Sequence, residues 1–198
     1  MKMSSTRDLI IESATKHLYA MGYNRFSFAH VAKDCGITKA SIHYHFSTKE
    51  ELVLAAIDKY IMNTKNVMGT LRKNVDLSAV EKFNAIFDMA HHQMIQMNYL
   101  GCLAGNLGLE VSETNQAIHN RIQEFMNYKL ELFSELIEMG RQAGQFRPEV
   151  NASLVSRSIL SSLEGGMVTT KISKSPDLLE AALNVCRNVI NKEIVTKK

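Results

Sequence analysis

Apolar residues recur three and four positions apart along almost the whole chain, the mark of helices that each bury one face. Ile10, Ala14, His17, Leu18 and Met21 form the first such stripe. It predicts a helix capped by Ser5 or Thr6 behind a loose tail of residues 1–5, and ended by Gly22. Phe28, Val31, Ala32 and Cys35 form a second, with Ser27 as N-cap and Gly36 at the stop, where a left-handed backbone is wanted. Ile37 plugs the turn. Thr38 then caps a very short helix, Lys39 to Tyr44, with Ile42 and Phe46 pointing inward. Ser47 and Glu50 have capping-box spacing, so the next helix starts at once and runs to about Lys73.

Asn74-Val75-Asp76 reads as a break, with Asp76 as the following cap. Residues 77–98 predict an apolar, Met-rich helix. Three glycines between Gly101 and Gly108 predict a bend with close backbone approach. Thr114 caps a long helix to about Ala143, stopped by Gly144 and the Arg147-Pro148 turn. Asn151 caps a helix from Ala152 to about Ser173. Asp177, or the Ser175-Pro176 pair, starts the last helix, to about Ile194, and Lys192, Lys197 and Lys198 form a solvated tail. The predicted class is all-α, with a three-helix head containing a helix-turn-helix over 1–50 and a second helical domain over 51–198.

The short helix carries the chemistry. Lys39, Ser41, His43, Tyr44 and His45 crowd into seven residues. Hydroxyls, an ammonium and imidazoles at a helix start suit phosphate oxygens and base edges. Ser27, Thr38 and Lys49 flank them, and Arg25 is placed either at a DNA phosphate or in solvent. The alternative is a solvated polar face on a small helical domain. Charge favours the first reading. The chain has a net charge of +3, and all of that excess lies in residues 1–50, since residues 51–198 are neutral overall.

Other chemistries find less. No apolar run is long enough to span a membrane, and MKMSSTRDLI contains no hydrophobic signal segment. Three widely spaced cysteines make no disulfide framework and suggest a reducing, cytoplasmic setting. His91 and His92 point about 100° apart on a helix, and Asp88 with His92 lacks a third ligand, so no metal is expected. His17, His30 and Cys35 read as boundary or core residues. No Gly-rich phosphate loop, no HExxH and no nucleophile-base-acid set appears, so neither a cofactor nor an enzyme is expected.

The run Ile37-Thr38-Lys39-Ala40-Ser41-Ile42-His43-Tyr44-His45-Phe46-Ser47-Thr48-Lys49-Glu50-Glu51-Leu52 resembles the signature of TetR-type transcriptional regulators. Two positions depart from it. Ala40 replaces a glycine, and His43 replaces the first tyrosine of a Tyr-Tyr-His-Phe run, which in the family touches a phosphate. The resemblance implies that residues 1–50 form the DNA-binding domain and residues 51–198 a ligand-binding and dimerisation domain, in a homodimer with one recognition helix per subunit. It also implies that Ser161, Gly165, Leu183, Cys186 and Ile190 lie in a four-helix dimer interface.

Gly101-Cys102-Leu103-Ala104-Gly105-Asn106-Leu107 is similar to a branch of the family with a cysteine at the top of its ligand domain, some of whose members respond to electrophiles. Cys102 is therefore either a covalent sensor or a small residue where backbones cross. The expected function is a repressor of a palindromic DNA site, released by a small apolar effector held by Phe83, Phe87, Met94, Met97, Phe125, Met126 and Met167. Alternatives are a covalent switch at Cys102, an activator, or a helical interaction module with a vestigial head.

Overall fold

The computed structural model describes residues 5–111 and 113–196, and among them the backbone is helical with no named strand. The helices are α1 (Thr6–Arg25), α2 (Phe28–Cys35), α3 (Lys39–His45), α4 (Lys49–Lys73), α5 (Ala79–Gln96), α6 (Leu103–Val111), α7 (Gln116–Gln142), α8 (Ala152–Ser173) and α9 (Asp177–Asn188). A π-helical turn, Val189–Glu193, extends α9. The all-α expectation is borne out. The tail expectations for residues 1–4 and 197–198 lie outside the described residues.

Most helix starts follow from local capping chemistry. Ser5 and Asp8 form a reciprocal capping box at α1, and Asn151 Oδ1 accepts from the Leu154 amide at α8. Three caps differ from expectation. Thr48 rather than Ser47 caps α4, accepting from the Glu51 amide, while the Glu51 carboxylate reaches back to the Ser47 amide and hydroxyl. Ser78 caps α5 in a capping box with Glu81, whereas Asp76 sits two residues earlier in the turn. Asn115 rather than Thr114 caps α7, accepting from the Ile118 amide. In each case the cap is the residue three before the amide left open by the first turn. Gly22 does break α1, at φ 76 and ψ −176, but one more turn follows it to Arg25.

The chain forms two compact units, Met1–Asn63 with Leu103–Glu124, and Thr64–Cys102 with Phe125–Lys198. The first unit therefore takes in α6 and the start of α7 as well as residues 1–50. Its core is built on Ile10, Ala14, Leu18, Phe26, Val31, Ile42, Phe46 and Leu52, with Leu103, Leu107 and Ile118 from the later segment. The second unit has a core of Phe83, Phe87, Phe133, Phe146, Ile159, Leu163 and Leu179. Phe83 lies 6.0 Å from Phe87 and 5.7 Å from Phe133, ring to ring.

Helices α8 and α9 pack so closely that a Cβ on Gly166 would sit 2.5 Å from Ala182 Cβ. Leu183, Cys186 and Ile190, expected at a dimer interface, are instead core residues of their own chain. The apolar stripe of α9 that contains them is the stripe α9 turns towards α8 and α5. Ser161 and Gly165 are exposed, and a Cβ on Gly165 would meet nothing within 4 Å.

Two adjacent glycines thus have opposite tolerances. Gly166→Ala is expected to lower stability by about 1–3 kcal/mol through overpacking, more than the ~1 kcal/mol that helix propensity returns. Ala182→Gly in the same chain should recover part of the loss. Denaturant unfolding of the two single variants and the double variant checks this, and additive effects would show that the two positions do not meet.

Candidate nucleic-acid interface

Helices α2 and α3 are joined by three residues, Gly36-Ile37-Thr38. Gly36 adopts φ 64 and ψ 30, the left-handed conformation that ends α2, and the Ile37 amide returns to the Ala32 carbonyl at 3.1 Å. Thr38 Oγ1 accepts from the Ser41 amide at 3.1 Å and lies 3.0 Å from Ser41 Oγ. Seven residues make two turns, so α3 can bury only Ile42 with Phe46 just beyond it, and both are fully buried. The opposite face presents Thr38, Lys39, His43 and Tyr44 to solvent. Tyr44 is 86% exposed. His43 leans its ring against Phe28 of α2 (4.8 Å), and Tyr44 stands edge-on to His45 (5.2 Å).

The remaining expected contacts are placed differently. Ser27 is held by His30, whose Nδ1 accepts from the Ser27 amide at 3.2 Å and lies 3.1 Å from the hydroxyl. His30 in turn stacks at 5.4 Å on His17, whose Nε2 is 2.9 Å from Asp34 Oδ2, and Ser13 Oγ donates to the same oxygen. These residues tie α1 to α2, as boundary histidines should. Arg25 is exposed in the last turn of α1. Lys49 folds back. Its ammonium sits 4.5 Å over the Tyr23 ring and donates to the Asn24 carbonyl at 3.4 Å. Burial lowers it from the ordinary lysine value, with Glu110 acting in the opposite sense.

Glu110 is the residue that sequence reading missed. From α6 its carboxylate accepts from the Tyr23 and Asn24 amides, both at 2.7 Å. These amides are orphaned by the break at Gly22, and a Cβ on Gly22 would collide with the same carboxylate. No local signal marks this, because Glu110 lies 86 residues along the chain from Asn24. Arg7 was missed as well; its guanidinium covers the Phe46 ring at 4.8 Å.

In the second unit, Phe83, Phe87, Met94, Phe125 and Met167 are buried, Met126 is half-buried and Met97 is at the surface. An open cleft of about 580 Å³ between α4 and α5 is lined instead by residues such as Val67, Leu71, Met89 and Ile95, with Asp88, His91 and His92. Asp88 there is paired to Arg187, and His92 Nε2 is 2.8 Å from Gln96 Nε2. Among the described residues no group of three or more His, Cys, Asp or Glu could hold a metal ion, and no helix is long and apolar enough to cross a membrane.

Comparison with known proteins agrees with this geometry. The family model described as "Bacterial regulatory proteins, tetR family" matches residues 10–56, and the one described as "Tetracyclin repressor-like, C-terminal domain" matches residues 79–186. The HTH-type transcriptional repressor DhaR of Mycobacterium sp. (strain GP1) is 20% identical over 93% of this chain and 92% of its own length. The fatty acid metabolism regulator protein of Bacillus subtilis (strain 168) is 22% identical over 81% of this chain and 80% of its own. Among solved structures, a TetR transcriptional regulator from Legionella pneumophila superposes with a TM-score of 0.82 at 27% identity, covering 98% of this chain and 100% of that one. A TetR-family regulator from Agrobacterium tumefaciens does so at 0.86 and 19% identity, covering 96% and 97%. With both its N-terminal and C-terminal segments matched, the chain belongs to the TetR family of bacterial transcriptional regulators.

Proposed function

We propose that this TetR-family repressor acts as a homodimer on a palindromic operator and leaves it when a small apolar effector binds. The carrying observation is the outward face of α3, where a Tyr44 that buries almost nothing stands beside Lys39 and His43. An aromatic ring and hydroxyl held in solvent add little to the fold and are free to meet a partner with both an apolar face and a hydrogen-bonding tip. Tyrosine and lysine donate to phosphate, and His43 and Thr38 can reach base edges in a major groove. Two such helices set about 34–36 Å apart would address half-sites one turn apart.

A second unpartnered face supports the dimer. Along α8, Leu154, Ser161, Gly165 and Ile172 are exposed, and Val185 is exposed on α9. Small residues flanked by exposed aliphatics let two helices approach closely. The effector would bind in the second unit, selecting a conformer in which Phe83, Phe87, Phe125 and the adaptable methionines part to line a pocket.

One observation favours a second reading, a covalent switch at Cys102, in line with the cysteine-bearing branch of the family. Lys129 is almost wholly buried, its ammonium 4.9 Å over the Phe125 ring and paired with Glu164. Burial alone would lower the Lys129 ammonium, but Cys102 and Glu164 outweigh it and hold it above the ordinary lysine value. A lysine beside a cysteine favours the thiolate, the nucleophilic form. The thiolate would add to the ring carbon of a quinone, forming a C–S bond while the oxygen takes up a proton; no oxidant is needed. Both cysteines are buried, and what sets Cys102 apart is Lys129; burial pushes the Cys186 thiol up to about 11.

Three measurements test these readings. Tyr44→Ala should weaken binding to DNA upstream of the protein's own operon by about tenfold or more without moving the melting temperature, as read by fluorescence anisotropy. Unchanged affinity would remove α3 from the interface. Gly165→Arg should yield monomers in sedimentation equilibrium; a persisting dimer would place the interface elsewhere. A quinone should release wild type but not Cys102→Ser from DNA. Equal responses would make Cys102 structural and leave the reversible effector.

A further inference from the structure

Helix α2 is capped by a group that can gain a proton. Ser27 stands at its N-cap, and the Ser27 amide donates to His30 Nδ1 at 3.2 Å. This is the reach-back half of a capping box, a position that usually takes Glu or Gln. Elsewhere in the chain a carboxylate does this work. Asp8 accepts from the Ser5 amide at α1, Glu51 from the Ser47 amide at α4 and Glu81 from the Ser78 amide at α5. Bonds from the serine hydroxyl and amide hold these three carboxyls below their ordinary values, so they still accept in mild acid. An imidazole does not keep that capacity. A backbone amide can only donate, so Nδ1 of His30 must carry a lone pair, and the proton of the neutral ring sits on Nε2.

What this cap holds in place lies next to the outward face of α3. Phe28 is the first residue of α2, and its ring supports the His43 ring of α3 at 4.8 Å. Fraying of the first turn of α2 would free Phe28, and with it the His43 side chain. The charged and titratable groups around His30 offer a protonated ring little. From α1, His17 lies 5.4 Å away, ring centre to ring centre, and a second imidazolium there would repel the first. Asp34 is one turn further along α2, but its Oδ2 accepts from Ser13 Oγ and faces His17 Nε2 at 2.9 Å. Lys33 is exposed on α2 and adds only positive charge. From α3, His43 meets α2 at Phe28.

On the reading of α3 as the DNA-contacting helix, we propose that His30 is a positioning residue for operator binding: its neutral ring closes the cap that seats Phe28 behind His43, and a proton on Nδ1 opens it. A protonated imidazole has two N–H donors and no acceptor, so it turns a donor towards the Ser27 amide. At His30 the capped state therefore binds fewer protons than the uncapped one. Linkage favours the cap as pH rises and removes it as pH falls through the histidine range. Acid thereby weakens the grip on DNA from within the first unit, an input separate from any effector in the second.

Imidazole nitrogen NMR and DNA binding test this on the full-length protein. The His30 ring, assigned by its absence in His30→Gln, should be the Nε2-protonated tautomer at about pH 8, and a proton on Nδ1 there overturns the proposal. Fluorescence anisotropy with DNA upstream of the protein's own operon then compares wild type, His30→Gln and His30→Ala at about pH 8 and about pH 5.5. Glutamine reaches back to the N-cap amide but does not titrate. His30→Gln should therefore match wild type at the higher pH and bind about fivefold tighter than it at the lower, the weight of one cap. His30→Ala should bind about fivefold more weakly than wild type at the higher pH and no more weakly at the lower. The other histidines, His43 included, titrate in all three proteins and cancel in the comparison. Parallel pH profiles for wild type and His30→Gln overturn the proposal. If none of the three binds this DNA even at the higher pH, the reading of α3 fails instead, and melting temperatures still decide the cap. His30→Gln should melt about 2–4 °C above wild type at the lower pH and level with it at the higher. Equal melting at both overturns the proposal.

Discussion

The two hydrogen bonds from Glu110 to the Tyr23 and Asn24 amides hold the first unit to its shape. Helix α1 must break at Gly22, because a helix continuing straight would not deliver Phe26 into the core where it is fully buried. The break leaves amide donors without helical acceptors. A carboxylate accepting both gives two charge-assisted hydrogen bonds, each worth about 1.5–3 kcal/mol. Around it, Lys49 rests on Tyr23, Phe26 seats the second helix, and α2 presents α3. The outward set of Lys39, His43 and Tyr44 is only as well aimed as that chain of supports.

The second unit carries its charge differently. Lys129 and Glu164 form an ion pair inside an aromatic core, where losing one partner would cost about 3–5 kcal/mol although the intact pair adds little net stability. Helix α8 therefore has three jobs on three faces. Glu164 points to the charge inside, Gly166 lets α9 approach, and Gly165 with Ser161 looks outward. Its small residues are needed because one rod serves neighbours at different distances.

Features set by neighbours in the chain were legible in the sequence. The stripe of α2, the left-handed Gly36, the Thr38 cap, the inward Ile42 and Phe46 and the Asn151 cap all follow from spacings of three and four residues. The caps at Ser78 and Asn115 lay within reach of the same rules, and the misplacement was of one or two residues. What was not legible depends on contacts far apart in sequence: Glu110 with Tyr23, Lys129 with Glu164, Gly166 with Ala182. The apolar stripe of α9 was visible, but periodicity does not say whether a stripe meets its own chain or another. The family resemblance puts Leu183, Cys186 and Ile190 at a dimer interface, and the structure buries them in their own chain. In sequence Lys49 is a charge for phosphate, and its seat on Tyr23 comes only from three dimensions.

The first unit is discontinuous, made of Met1–Asn63 and Leu103–Glu124. A ribosome adding about 5–20 residues per second leaves several seconds between the synthesis of Asn24 and that of Glu110, 86 positions later. During that interval the helix-turn-helix exists without the carboxylate that closes its first helix. The DNA-reading end is made first and finished late, so a nascent chain has its recognition helix before it has the means to aim it.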